Sequence, residues 1–199
     1  MRDPFREGLA AGWKHVDASQ LAVDLPIEAD VVIVGSGAGG GVSAELLTAA
    51  GLKVVIVEEG PLRTSSDFNM REAEAYPDLY QESAARKTAD KAINILQGRC
   101  VGGSTTVNWT SSFRTPPRTL QWWQSAWGLK RLGVDAMAPW FAAMEQRLHV
   151  GLWPIPPNEN NAALARGATQ LGIPVAVIPR NVKMCWNIGY CGMGCPTNA

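Results

Sequence analysis

Residues 31–40 read Val-Val-Ile-Val-Gly-Ser-Gly-Ala-Gly-Gly, and this stretch decides the fold. Its first four residues form a β-branched run that is typical of a strand buried on both faces of a parallel sheet. Gly35, Gly37 and Gly40 then give the pattern G-x-G-x-x-G, and Val42 and Leu46 follow at helical spacing. The stretch therefore predicts a strand, a glycine-rich turn and a helix, which begin an α/β fold with a parallel sheet.

Each glycine of this turn has a physical role in binding a dinucleotide. Gly35 permits the tight turn out of the strand, Gly37 lets a pyrophosphate approach the backbone, and Gly40 allows helix and strand to pack closely. The N–H groups at the start of the helix then face the phosphates. A glycine-rich turn in an ordinary α/β protein would show the same glycines, so the pattern alone is weak evidence.

An acidic residue favours the dinucleotide interpretation. Lys53 to Val57 form a second apolar strand, and Glu58 follows it, 18 residues after Gly40. A carboxylate there can accept hydrogen bonds from a ribose diol, and its charge would repel the 2′-phosphate of an NADP-type ligand. Glu59 is an alternative ribose ligand, although Glu58 follows the strand directly.

A second glycine-rich stretch reads Gly98-Arg-Cys-Val-Gly-Gly-Ser-Thr-Thr-Val-Asn-Trp109. Its paired glycines and hydroxyl side chains can form a loop of N–H and O–H donors. Such a loop suits a phosphate or the polar edge of a flavin ring. Gly-Gly-Ser-Thr by itself could be only a turn, but the first glycine loop makes the binding interpretation stronger.

The two stretches together resemble the glucose–methanol–choline (GMC) family of FAD-dependent oxidoreductases, and the likeness runs from residue 30 to the end of the chain. The resemblance implies a Rossmann-like FAD-binding domain. It also implies that Glu58 binds the adenosine ribose, while the glycines of both loops line the pyrophosphate and flavin. The predicted cofactor-binding residues are Gly35, Ser36, Gly37, Gly40, Glu58, Gly98, Arg99, Gly102, Gly103, Ser104 and Asn108.

Two departures from the family's pattern matter for function. Some members attach FAD covalently through a His just before the signature Asn, but Val107 stands there, so we expect non-covalent FAD. The family's catalytic His lies near the C-terminus of proteins more than twice this length, and His15 and His149 have no matching context. We therefore expect a truncated chain, the N-terminal FAD-binding part of an enzyme, whose catalytic residues are unknown.

The chain is predicted to have three segments. Residues 1–29 form an N-terminal extension, residues 30–114 form the FAD-binding core with a cap or lid excursion, and residues 115–199 form an α-rich insertion or the start of a second, substrate-side domain. Within the core, Ile93, Ile95 and Leu96 suggest a short strand or a buried segment.

Three elements are predicted in the last segment. Helices are expected over residues 135–149, with Asp135 as the N-cap, and over residues 160–171. Residues 173–178 read as a strand. The tryptophans at positions 122, 123 and 127 are interpreted as core packing rather than as a substrate-facing or membrane-facing surface.

The three cysteines Cys185, Cys191 and Cys195 give the spacing C-x5-C-x3-C, with glycines between them. Closely spaced thiolates suit a metal or a cluster. Some electron-transferring sugar dehydrogenases of the GMC family hold a three-iron cluster on similar spacing, so the resemblance admits an iron–sulfur cluster here. Free thiols or one disulfide are the alternatives.

The composition excludes several partners. The 199 residues carry a net charge of +0, and no basic run suggests a nucleic-acid partner. No stretch of 18 apolar residues predicts a transmembrane segment, and the first residues lack the apolar core of a secretory signal. We expect a cytoplasmic protein, with peripheral membrane attachment left open.

The resemblance implies a flavoprotein oxidoreductase that acts on a CH–OH donor. Such an alcohol dehydrogenase or oxidase moves a hydride from an alcohol or a sugar to the flavin, which oxygen or an electron-acceptor protein reoxidises. The chain by itself is expected to be inactive. The alternatives are a non-redox member of the hydroxynitrile-lyase type, a non-catalytic flavin-binding fragment, and an NAD-binding Rossmann domain, against which the loop 98–108 argues.

Overall fold

A computed structural model describes residues 2–199 and divides the chain into two compact units. The first unit contains the chain up to Trp109 together with residues 185–199, and the second contains residues 110–184. Its boundaries are not those of the predicted segments: the chain up to Trp109 lies in one unit with no break at residue 29, the second unit begins at Thr110 and not at residue 115, and residues 185–199 return to the first unit. Residues 185–199 belong to the first unit because Met193 is buried in that unit's core.

The first unit contains the parallel sheet that the sequence predicts. Its regular elements are α1 (Pro4–Ala10), β1 (Val31–Val34), α2 (Ala38–Ala49), β2 (Val54–Val57) and α3 (Glu72–Leu79). β1 and β2 pair in parallel, with Val31 opposite Val54 and Val34 opposite Val57. The predicted order of strand, glycine turn, helix and strand is therefore present, and the chain is an α/β protein.

A buried carboxylate ties the start of the chain to the segment after β2. Asp3 caps α1 by accepting a hydrogen bond from the Arg6 N–H, at 3.1 Å. The same carboxylate accepts from the Thr64 hydroxyl at 2.6 Å and from the Ser66 N–H at 3.0 Å. Burial alone would raise the pKa of Asp3, but these hydrogen bonds outweigh burial and hold the pKa far below its ordinary value.

The buried core of the first unit lies beside α3 and not on the sheet. Its apolar residues come from three segments that are distant in sequence, and they are Ala75, Leu79, Tyr80, Cys100, Val107 and Met193. By contrast, Val32 and Val34 of β1 are 60% and 87% exposed. The loop 98–108 is therefore held by the core itself, through Cys100 and Val107.

The second unit combines helices with a short antiparallel pair. Its regular elements are α4 (Pro117–Trp127), α5 (Val134–Arg147), β3 (Val150–Leu152), α6 (Glu159–Gln170) and β4 (Pro179–Asn181). Val150 lies opposite Asn181 and Leu152 opposite Pro179. The two predicted helices of this region are thus present as α5 and α6.

Several local predictions for these regions are wrong. Residues 173–178 form no strand, and the strand begins only at Pro179. Gly133, not Asp135, is the N-cap of α5. Trp122 and Trp127 are 54% and 65% exposed and pack edge-on against each other, so they are not core residues of the described chain.

Residues 93–96 also differ from the prediction. They form no regular strand; Asn94 makes only an isolated bridge to Lys87, and Ile93 is 62% exposed.

Among the helices of residues 2–199, none combines the length and the apolar character needed to cross a lipid bilayer.

Candidate functional site: two glycine loops joined by a serine

The turn after β1 leaves open space in front of a helix start. Gly35 adopts φ 91°, a left-handed conformation that favours glycine, and its N–H donates to the Val57 carbonyl at 2.8 Å. Gly37 is the N-cap of α2, and no described side chain caps this helix. A Cβ at Gly37 would meet no described atom within 4 Å. The helix therefore begins at an open surface with its first N–H groups available to a ligand.

Gly40 allows the helix to pack tightly against the strand before it. A Cβ at this position would overlap the Gly35 carbonyl oxygen and would lie 3.4 Å from Cγ2 of Ile33. Any larger residue would push α2 away from β1. The geometry therefore matches the close helix–strand packing that the third glycine of the pattern predicts.

Glu58 turns its carboxylate toward the first loop. Its Oε2 accepts from the Ser36 N–H at 2.9 Å and from the Ser36 hydroxyl at 2.6 Å, and its Oε1 accepts from the Gly60 N–H at 3.0 Å. Burial raises the pKa of Glu58, but the hydrogen bonds from Ser36 and Gly60 outweigh it, so the pKa lies below its ordinary value. The carboxylate is therefore ionised at neutral pH.

Glu59, the alternative ribose ligand, makes different contacts. Its carboxylate pairs with the Arg99 guanidinium, with 3.5 Å between Nε and Oε2, and it also accepts a hydrogen bond from the Gln81 side chain. Arg99, which belongs to the predicted cofactor-binding set, is thus placed beside an acidic side chain. Of the two glutamates, Glu58 is the one that bonds to the glycine turn.

The second loop meets the first through Ser36. The Gly102 N–H donates to the Ser36 hydroxyl oxygen at 2.9 Å, while that hydroxyl donates its own proton to Glu58. Gly102 has φ 91°, a left-handed conformation that favours glycine. A Cβ at Gly103 would lie 3.1 Å from Cα of Gly37, so the two loops touch through backbone. One serine hydroxyl therefore joins the first loop, the acidic residue and the second loop.

The second loop also closes on itself. The Ser104 hydroxyl oxygen accepts from the Gly98 N–H at 3.0 Å, and the Asn108 side-chain amide donates to the Thr105 carbonyl at 3.1 Å. A Cβ at Gly98 would lie 2.5 Å from the carbonyl carbon of Gly103. These contacts between groups of the loop itself fix its conformation.

The three clustered cysteines do not form a metal site. The four cysteines, all of which lie in the described part of the chain, form no disulfide. The Cys185 sulfur accepts from the Asn187 N–H at 3.4 Å, and the Cys195 sulfur lies 3.2 Å from the Thr197 hydroxyl. Within residues 2–199, no group of three or more His, Cys, Asp or Glu side chains could hold a metal ion. The structure therefore does not bring Cys185, Cys191 and Cys195 together as the predicted iron–sulfur ligands.

Sequence reasoning missed Tyr80 and the segment 191–194. The Tyr80 hydroxyl donates to the backbone carbonyls of Val107 and Gly192. Met193, next to Gly192, is buried in the same core cluster as Tyr80. The paired glycines around Met193 were a usable signal, because a side chain on either would overlap an aromatic ring: Trp109 at Gly192 and Phe68 at Gly194.

Comparison with known proteins agrees with a dinucleotide-binding oxidoreductase domain. Residues 30–91 match the profile of an FAD-binding domain, and residues 76–199 match the profile of the GMC oxidoreductases. Because the second match covers more than half of the chain, the chain belongs to the GMC oxidoreductase family. The predicted family and its FAD-binding character are thereby confirmed.

Relatives in plants and bacteria cover most of the chain. A long-chain-alcohol oxidase of Arabidopsis thaliana is 35% identical over 171 residues, which are 86% of this chain and 24% of the relative. An uncharacterised GMC-type oxidoreductase of Mycobacterium tuberculosis is 36% identical over 210 residues, covering 99% of this chain and 33% of the relative. The chain thus spans about a quarter to a third of the length of these curated relatives.

A solved structure supports the fold. Pyridoxine 4-oxidase from Mesorbium loti superposes with a TM-score of 0.60 at 22% identity, over 79% of this chain and 37% of that chain. At this level of identity the likeness concerns the fold alone.

The residues present fit FAD. The uncapped start of α2 and the open space over Gly37 suit a pyrophosphate, whose charge the helix dipole would stabilise. The ionised carboxylate of Glu58 lies beside the same turn, as a ribose ligand must. The second loop lies against the first at Gly37 and Gly103, so a dinucleotide on the turn would also meet the loop 98–108.

Proposed function

We propose that the chain binds FAD non-covalently and forms the cofactor-binding part of an enzyme that oxidises the CH–OH group of an alcohol. The observation that carries this proposal is the Ser36 hydroxyl, which bonds to Glu58 and to the Gly102 N–H at once. Because of these bonds, the protein's own groups hold the proposed ribose ligand and both glycine loops in one arrangement.

Different residues around the two loops would bind different parts of the cofactor. Gly35, Gly37 and the first turn of α2 would bind the pyrophosphate, and Glu58 would orient the adenosine ribose. Gly103 and Asn108 would lie against the flavin side. When bound, FAD supplies the acceptor for a hydride that leaves the alcohol carbon. This chain's own contribution is to bind and orient that acceptor.

Non-covalent binding is supported by the position of Val107. Its side chain is 2% exposed and packs in the core with Leu79 and Met193, and it carries no nucleophile. We therefore expect acid or heat treatment to release all of the flavin into the supernatant. Flavin that stays with the polypeptide after denaturation would contradict this part of the proposal.

The substrate class is proposed from the relatives. Because the Arabidopsis thaliana relatives are named long-chain-alcohol oxidases, we propose an apolar primary alcohol as the substrate and oxygen as the final acceptor. None of the relatives reported above is a lyase, so the lyase alternative gains no support. In the whole enzyme of which this chain is proposed to be the cofactor-binding part, anaerobic bleaching of the flavin by a long-chain alcohol tests the substrate. Peroxide formation in air tests oxygen as the acceptor.

Titration with FAD tests the binding role of Ser36. We expect Ser36→Ala to raise the dissociation constant for FAD about tenfold, the usual effect of losing one hydrogen bond to a charged partner. Ser43→Ala is the matched control, because Ser43 is exposed on α2 outside the turn, and its affinity for FAD should equal that of the unaltered protein. An unaltered protein that takes up no FAD would overturn the proposal.

A further inference from the structure

Tyr80 occupies the junction between α3 and the second glycine loop. It directly follows α3, is 3% exposed, and bridges to Gly98 at the start of that loop. Its ring packs edge-on against Tyr76, with 5.5 Å between centroids. The neighbouring Leu79 carbonyl accepts from the Arg99 N–H at 2.7 Å. Backbone contacts therefore hold this part of the chain against the loop, independently of any polar contact made by the Tyr80 side chain.

The hydroxyl of Tyr80 reaches two carbonyls that are far apart in sequence. It lies 3.1 Å from the Val107 oxygen and 2.5 Å from the Gly192 oxygen. A phenol has one proton, so the two carbonyls share it in a three-centre hydrogen bond. The hydroxyl is buried, so water does not replace it as their partner. Burial raises the pKa of Tyr80 to about 12, and the phenol therefore remains a proton donor at neutral pH.

Asn108 lies between two residues that are held in place by Tyr80 or by Gly192. Val107 precedes Asn108 and is bonded by Tyr80, while Trp109 follows it and packs on Gly192. A Cβ at Gly192 would lie 2.8 Å from Cη2 of Trp109, so the ring leaves no room for a larger residue. Both chain neighbours of Asn108 thus depend on Tyr80 and on the segment 191–194.

We propose that Tyr80 is a positioning residue: by bonding the carbonyls of Val107 and Gly192, it clamps the segment 191–194 onto the loop and holds Asn108 where the flavin needs it. This inference rests on the proposed FAD function. It assigns the segment between the cysteines a role in bracing the cofactor loop. All groups of the clamp belong to the protein itself, so it can be tested with and without the cofactor.

The test compares Tyr80→Phe with Tyr76→Phe. Both changes remove one phenol oxygen from the same end of α3 and keep the ring, but the Tyr76 hydroxyl bonds only to the exposed Glu72, at 3.2 Å. Without FAD, we expect Tyr80→Phe to speed amide hydrogen exchange over residues 101–109 and over residues 190–194, while Tyr76→Phe leaves both at the unaltered rate.

The cofactor gives the second measurement. We expect Tyr80→Phe to raise the dissociation constant for FAD about tenfold and to change the visible circular dichroism of the flavin at saturating FAD. Tyr76→Phe should change neither. Gly192→Ala keeps the Tyr80 hydroxyl but displaces Trp109, and it should reproduce the Tyr80→Phe spectrum.

Three results would count against the clamp in different ways. Unchanged exchange over residues 101–109 in Tyr80→Phe overturns it directly. Tyr80→Phe could instead show faster exchange or a lower melting temperature but keep the FAD affinity and flavin dichroism of the unaltered protein. Tyr80 would then stabilise the fold without positioning Asn108 for the flavin. If the unaltered protein binds no FAD, the proposed function and the role toward flavin both fall, and exchange alone decides whether the clamp exists.

Discussion

The two units differ in how their interiors are made. In the first, buried apolar residues from the segments 75–80, 100–107 and 193 meet in one cluster. Among residues 110–184, all of which the structure describes, Leu120 is the one buried side chain, while Phe113, Trp140 and Leu164 are 72%, 67% and 74% exposed. The unit that carries the cofactor loops therefore has a cluster of buried side chains from distant segments, whereas the second unit has mostly exposed helices and one antiparallel strand pair, with α6 between the two strands in sequence.

The units also differ in how they hold their carboxylates. Asp3 in the first unit is 7% exposed and accepts hydrogen bonds from two segments of the chain. Glu145 in the second unit forms a two-point ion pair with Arg114 at the surface, with both distances 2.6 Å. Good geometry alone does not make an ion pair stabilising, because solvent screens exposed charges.

The largest expected effect compares Leu79→Ala with Leu120→Ala. Both side chains are fully buried. Leu79→Ala should lower the free energy of unfolding by about 3–5 kcal/mol, since its neighbours in the core cannot collapse into the cavity. Leu120→Ala should cost about 2–3 kcal/mol, because the half-exposed residues around it can relax. Denaturant unfolding measures both, and equal losses would contradict the difference in packing between the units.

Two glycines, one in each unit, test how closely the backbone is packed in the two units. Gly98→Ala should lower the free energy of unfolding by about 1–3 kcal/mol, since the added methyl group would meet the backbone of Gly103 and Ser104. Gly167 lies inside α6, where a Cβ would meet no described atom within 4 Å. Gly167→Ala should therefore raise stability by up to about 1 kcal/mol, the helix preference of alanine over glycine.

Thermal unfolding of these two variants gives the sign of each change. A stabilising Gly98→Ala would mean that the second loop is looser than the structure shows. A destabilising Gly167→Ala would mean that another part of the protein occupies the surface of α6.

The smallest expected effects concern pH and the two carboxylates. The folded-state pKa of Asp3 lies below its ordinary value of 3.8, so the ionised carboxylate stabilises the fold at every pH above 3.8. This stabilisation is lost as the pH falls from 3.8 toward the lower folded-state pKa. Asp3→Asn should thus be less stable than the unaltered protein at pH 7, and the difference should shrink at pH 3. Glu145→Gln should change stability little at either pH. Denaturant unfolding at the two pH values separates the cases, and a pH-independent loss in Asp3→Asn would contradict the role of its charge.

Much of the first loop could be predicted because its determinants are local. The run of four β-branched residues forms β1, the glycine pattern opens α2, and Glu58 follows β2 at the expected distance. The same local reasoning failed at residues 173–178, where an apolar run forms no strand because nothing pairs with it before Pro179. It failed at the cysteines too, since regular spacing along a chain does not make thiols converge in space.

The sequence by itself therefore determined the class of the domain, its family, and the turn that faces the cofactor, because glycines and β-branched residues act on the backbone next to them. Only the tertiary structure decided that Ser36 would join Glu58 to Gly102, and that Tyr80 would bond to Val107 and Gly192. A hydroxyl can donate to any carbonyl within reach, and which carbonyl is within reach depends on how segments about a hundred residues apart pack around one core.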